Sequence, residues 1–125
     1  MIYLIDANVI IRFLLGDDEK FLQKSIEIFQ HIEDASLQVE IVEGVLMEVF
    51  FVLTKFYKLP KQDVISDLKN ILALEGVVNS DKIILFETLN LMDIKNIDFV
   101  DALICAKSKL QGYGKLSFDK DIEKC

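Results

Sequence analysis

Apolar and polar positions along the 125 residues follow two rhythms, short β-favouring runs and longer stretches with helical spacing. Ile2 to Ile5 reads as a buried strand, after which Asp6-Ala7-Asn8 turns into an apolar helix over about Val9 to Leu15, ended by Gly16. Asp17 or Asp18 caps a second helix, with Leu22, Ile26, Phe29 and Ile32 on one face as far as about Glu33. Leu37 to Val42 alternates weakly and reads as a second strand. Glu43 and Gly44 open a long helix through about Tyr57, apolar nearly all round and therefore central. Pro60 suits the first turn of the next helix, whose buried stripe is Val64, Ile65, Leu68, Ile71 and Leu72. Gly76-Val77-Val78 reads as a third, short strand. Ser80 caps a helix to about Met92, and Asp98 starts another that ends near Gly112. Lys115 to Phe118 reads as a last strand.

Short strands alternating with helices predict an α/β fold, a three-layer α/β/α sandwich around a short parallel sheet of four or five strands. No repeat, linker or low-complexity tract interrupts residues 1–125, so a single domain is expected. Ligands of such sheets gather beyond the carboxyl ends of the strands, and Asp6 and Asp119 fall at such ends.

Four carboxylates break the apolar pattern. Asp6 is the only charge in the first eleven residues, Glu48 the only one between Gly44 and Thr54, and Asp101 the only one between Phe99 and Ala106. Asp119 follows Leu116-Ser117-Phe118. All four stretches read as buried, and an ionised carboxylate taken out of water is costly unless it is paired or bound to a cation. A shared metal ion is the simplest account, and Mg²⁺ or Mn²⁺ suits an all-oxygen donor set.

Each residue also has a structural alternative. Asp6 can cap the helix that follows it, and Glu48 can pair with Lys55 or Arg12. Asp98 at the N-cap and Asp101 at N3 are spaced as a capping box; that reading is kept for Asp98, and Asp101 is assigned to the metal. Asp119, beside Lys120 and Asp121, can be a solvated acid. Asn8 can hold a metal-bound water or satisfy local backbone, and Ser117 can bind phosphate or water. Arg12, one helical turn after Asn8, can pair with an acid or contact a substrate phosphate.

The net charge of −7, with Arg12 the only arginine, argues against a protein that tracks a nucleic-acid groove. It leaves room for a nuclease, because bound metal neutralises part of the negative excess. His31 is the only histidine, which disfavours zinc sites and Ser-His triads, and the scattered glycines form no phosphate-binding loop. Cys105 lies in an apolar helical stretch and Cys125 is the last residue, so no disulfide is expected and a reducing, cytoplasmic setting fits better. Asp6 interrupts the N-terminal apolar run, and no stretch approaches the length of a membrane span; a soluble chain without a signal peptide is expected.

Together Asp6-Ala7-Asn8-Val9-Ile10-Ile11-Arg12, Val45-Leu46-Met47-Glu48-Val49, Asp98-Phe99-Val100-Asp101-Ala102-Leu103-Ile104 and Ser117-Phe118-Asp119-Lys120-Asp121 resemble the PIN-domain ribonucleases, in particular the small VapC-type toxins of type II toxin–antitoxin systems. The order and spacing of the four fragments carry the likeness. The resemblance implies a parallel-sheet α/β/α fold and a Mg²⁺- or Mn²⁺-dependent endoribonuclease. Asp6, Glu48, Asp101 and Asp119 would be its catalytic and metal-binding acids, with Asn8 and Ser117 as auxiliary polar groups. Arg12 and Lys120 are candidate contacts to RNA, as are Lys20 and Lys115 near the same edge. The resemblance also implies a homodimer and a small antitoxin that covers the active-site groove. Family members commonly continue past the fourth acid into another short strand, which puts the fifth strand in question here. The rival readings are a PIN-like interaction protein without turnover, and a haloacid-dehalogenase-like phosphatase with Asp6 as nucleophile, which would want a second Asp where Asn8 stands.

Overall fold

In the computed structural model, which describes residues 1–125, the first apolar run forms β1 (Ile2–Leu4) and pairs in parallel with β2 (Gln38–Glu40). Ile2, Tyr3 and Leu4 are exposed and only Ile5 of that run is buried, against the expectation of a buried strand. Tyr3 lies opposite Val39. A parallel pair needs a crossover, supplied here by α1 (Ala7–Leu15) and α2 (Glu19–Glu33). Gly16 ends α1 at φ 63°, a left-handed conformation that glycine adopts without a Cβ penalty, and its N–H donates to the Arg12 carbonyl at 3.1 Å. Asp18 caps α2, its Oδ1 accepting from the N–H groups of Lys20 (3.1 Å) and Phe21 (3.4 Å). Phe13 of α1 stacks on Phe29 of α2 with ring centroids 4.1 Å apart, so the two helices pack as a pair.

The chain forms two compact units, Met1–Asn79 and Ser80–Cys125. In the first, α3 (Glu43–Phe51) runs on as a π-helical stretch over Val52–Phe56, and α4 (Lys61–Leu72) follows with Pro60 at its N-cap. Leu46, Val49 and Leu53 are buried, as is the whole predicted stripe of α4.

The predicted third strand is reduced to one parallel bridge, Val39 to Val77, in which the Val39 N–H donates to the Gly76 carbonyl at 2.7 Å and the Val78 N–H to the Val39 carbonyl at 2.9 Å. Beyond it a side chain replaces a strand neighbour. The buried Asn79 accepts from the Ile41 N–H at Oδ1 (2.8 Å) and donates from Nδ2 to the Ile41 carbonyl (2.7 Å). This satisfies a backbone pair that would otherwise be orphaned in the core.

Gly76 is needed here for space, since a Cβ would collide with the carbonyl oxygens of Ile32 and Leu37. Gly76→Ala is expected to lower stability by about 2 kcal/mol or more, because backbone is the obstacle and cannot swing aside as a side chain can. Urea unfolding checks this; an unchanged midpoint would contradict the close approach.

The second unit is helical: α5 (Lys82–Lys95), α6 (Phe99–Gln111) and the short α7 (Lys120–Lys124). α5 starts after Asp81 rather than at a Ser80 cap. Leu85, Leu89 and Met92 of α5 and Ala102, Cys105 and Ala106 of α6 are buried where these helices pack, and Lys109 pairs with Glu87 at 3.0 Å. Gly112 ends α6 in the left-handed conformation, as its position predicts.

Two expectations are overturned in this unit. Lys115 to Phe118 is not a strand: Leu116 and Phe118 are fully exposed (103% and 106%), and the second unit contains no strand for the segment to pair with. A strand is defined by its partner, which local β propensity does not supply. The sheet therefore has two strands, not four or five, although α helices with a small parallel sheet keep the α/β class. Cys105 and Cys125 are joined as a disulfide, with Cα atoms 5.6 Å apart, against the expectation of free thiols. Helix α7 packs on α6 through the buried Ile122, and Lys115 Nζ donates to the Glu123 carbonyl at 3.2 Å. This return of the chain, invisible in sequence spacing, sets the last residue beside α6. No helix is long and apolar enough to cross a membrane.

Candidate active site

Asp6 sits at the N-cap of α1 and accepts the Ala7 N–H at Oδ1 (2.8 Å). Its capping role is thus real, yet only Oδ1 is engaged and the residue is exposed. Asn8, exposed in the first turn of α1, and Arg12 line a cleft against α2 together with Phe21 and Lys24. Sequence reasoning had not singled out those last two. The available signal was a second stripe on α2, Phe21-Ser25-Ile28, lying beside the core stripe at helical spacing. Arg12 Nη1 reaches Asp17 Oδ1 at 3.5 Å, so its acidic partner is neither Glu48 nor another candidate ligand.

Glu48 is exposed on α3 and makes no ion pair, which removes the suggested pairing with Lys55 or Arg12. Its exposure also corrects the energetic premise. Leu46 and Val49 turn into the core, whereas Met47 and Phe51, one residue before and three after Glu48, face solvent with it. On α6, Val100 and Ile104 stand exposed at the same offsets from Asp101. The apolar neighbours that made these acids read as buried are in part a surface, and Asp6, Glu48 and Asp119 all lie in solvent; Asp101 alone is partly covered. Periodicity on an all-apolar helix cannot say which side is covered.

In the second unit Asp101 occupies the first turn of α6, after Asp98 at the N-cap. The capping box is not formed, since the Asp98 side chain makes no cap hydrogen bond. Asp119 caps α7, its Oδ1 accepting from the Asp121 N–H at 2.8 Å, while Ser117 Oγ accepts from the Asp119 N–H at 2.9 Å. Ser117 thus fixes the backbone of the carboxylate two residues on, and Lys120 is exposed in the first turn of α7.

Partial burial raises the Asp101 pKa above the ordinary carboxylate value, and the negative charges of Asp119, Asp98 and Asp121 push it the same way. The structure therefore brings Asp101 and Asp119 into one electrostatic neighbourhood, while Asp6 and Glu48 belong to the first unit. A raised folded-state pKa means that ionised Asp101 weakens the fold: stability is lost as pH rises through that pKa and regained below it. Asp101→Asn is accordingly expected to raise the melting temperature at about pH 7, with the gain vanishing in acid where the carboxyl is protonated anyway. Calorimetry at both pH values checks the sign, and a lower melting temperature at neutral pH would refute the repulsion.

Within either unit no three acidic, His or Cys side chains are gathered closely enough to form a ready metal cradle. The chemistry of the donor set nonetheless fits Mg²⁺ or Mn²⁺. It consists of oxygen atoms alone, open to water, and crowded negative charge around Asp101 is what a divalent cation relieves. No curated protein and no solved structure matches the chain. The sequence does match the PIN domain over residues 3–125, a span that includes all four acids in order, and the chain belongs to that family.

Proposed function

We propose that this PIN-domain protein is a metal-dependent endoribonuclease whose catalytic acids are Asp6, Glu48, Asp101 and Asp119. The family match across residues 3–125 carries the reading. It is supported by the crowding of carboxylates at Asp101, which favours a bound cation, and by the solvent access of the other three acids, which lets a polymer substrate approach. Mg²⁺ or Mn²⁺, when bound by these carboxylates, supplies a nucleophilic water and charge stabilisation at the leaving oxygen of an RNA phosphodiester.

The residues have distinct tasks. Asp101 and Asp119 would hold the cation, and Ser117 holds the Asp119 backbone in place. Asp6 offers its unengaged oxygen at the N-terminus of α1, and Asn8 orients water or a phosphate oxygen from the same turn. Glu48, free of any ion pair, is the acid that the ribonuclease reading assigns from α3. The finer reading is a VapC-like toxin that works as a cytoplasmic homodimer and is covered by a small antitoxin. Exposed apolar side chains, Phe51 in the first unit and Leu116 and Phe118 in the second, support surfaces that a partner covers.

Cleavage of single-stranded and structured RNA with and without Mg²⁺ or Mn²⁺ tests the activity. Scission is expected with either ion and none in excess EDTA. Cleavage that persists in EDTA, or no cleavage with any divalent ion, would sink the proposal. Mg²⁺ should also raise the melting temperature of the wild type and leave Asp101→Asn unmoved, a readout independent of turnover.

A further inference from the structure

We propose that the cleft between α1 and α2 is a subsite for one nucleotide of single-stranded RNA, with the base against Phe21 and its phosphate near Arg12 and Lys24. The assignment rests on the ribonuclease reading and names where that substrate is held. The cleft measures about 400 Å³, room for one nucleotide, and Val9 and Ile28 give it apolar walls around the aromatic ring.

Phe21 does not serve the core. It is 45% exposed, one position off the buried stripe of α2, and Lys20 Nζ stands 5.5 Å from its ring centroid. Exposed aromatic rings beside cations are what unstacked bases of single-stranded RNA are recognised by. The charge of the cleft selects the same occupant. In a chain of net charge −7, the only charged residues that line it, Arg12 and Lys24, are both positive, and no acid lines it. Arg12 is held only by its 3.5 Å contact with the exposed Asp17, an ion pair weak enough for a phosphate to displace. Asn8 also lines the cleft, two residues after Asp6, so a nucleotide bound there lies along the helix whose N-terminus carries a proposed catalytic acid.

The test is fluorescence anisotropy of a labelled single-stranded hexaribonucleotide in EDTA, where no cleavage is expected, combined with backbone NMR shifts. Binding should move the amide signals of Asn8, Val9, Phe21 and Lys24. Phe21→Ala should weaken affinity by about tenfold and Phe21→Tyr should restore it, because stacking needs only the ring. Lys24→Gln should weaken binding and flatten its salt dependence by about one phosphate contact. Both residues face solvent, so melting curves should stay unchanged. Equal affinity across these variants, shifts confined elsewhere or no RNA binding at all would overturn the subsite. So would an acidic amphipathic peptide that moves the same signals when RNA does not, since the cleft would then be a protein interface. The two readings fail separately. RNA held in the cleft by a protein that never cleaves with Mg²⁺ removes the ribonuclease and keeps the site. Metal-dependent cleavage with an unchanged KM in Phe21→Ala removes the site and keeps the ribonuclease.

Discussion

Replacing Asp6 or Asp101 by Asn is expected to reduce Mg²⁺-dependent RNA cleavage by on the order of 10²–10³-fold while the protein stays folded. The two variants separate charge from structure in different ways. Asn is as good an N-cap as Asp, so Asp6→Asn keeps the bond from the Ala7 N–H and removes only the negative charge. Its stability should be unchanged, and a loss of turnover then reports the missing carboxylate. Asp101→Asn goes further, because relief of repulsion from Asp119, Asp98 and Asp121 is expected to stabilise the fold as activity falls. An acid retained at a cost to stability is the mark of a functional group rather than a structural one. Steady-state cleavage of a defined RNA beside a melting curve for each variant reads both quantities. Full activity in either would remove that residue from the catalytic set.

Opening the Cys105–Cys125 bond is expected to cost the second unit about 3 kcal/mol, from the freedom that a loop of this separation regains in the unfolded chain. The closed loop contains Asp119 and α7, whose one buried residue is Ile122. Once reduced, α7 is held on α6 by little more than that side chain, since the Lys115 contact to Glu123 ties α7 only to the segment that precedes it. Thermal melts with and without a phosphine reductant, alongside a Cys105→Ser and Cys125→Ser double variant, measure the effect, and hydrogen exchange should rise first in α7. Coincident melts, or two titratable thiols in the protein as purified, would refute it. A reducing cytoplasm would hold the pair open, so the bond's state bears directly on where this chain works.

How far the sequence could be read depended on the range of each interaction. Gly16, Asp18, Pro60 and Gly112 mark helix ends where the structure has them, because capping and left-handed turns involve groups a few residues apart. Asp6, Glu48 and Asp101 stood out because charge is rare in those stretches, and Asp119 by its place after Leu116-Ser117-Phe118. Their burial was misjudged, since Met47, Phe51, Val100 and Ile104 gave an apolar setting that proved to be surface. Asn79 gave no local signal for its paired bonds to Ile41, 38 residues away.

What the sequence by itself determined, then, is the course of the helices α1 to α6, the first two short strands and the place of the acidic residues along them, all properties of neighbours along the chain. Only the tertiary structure decided that Lys115 to Phe118 has no strand partner, that Cys125 reaches Cys105, and that Phe21 opens a cationic cleft with Arg12 and Lys24. Each of these depends on which distant segment arrives alongside, and that is set by the packing of whole elements rather than by any local preference.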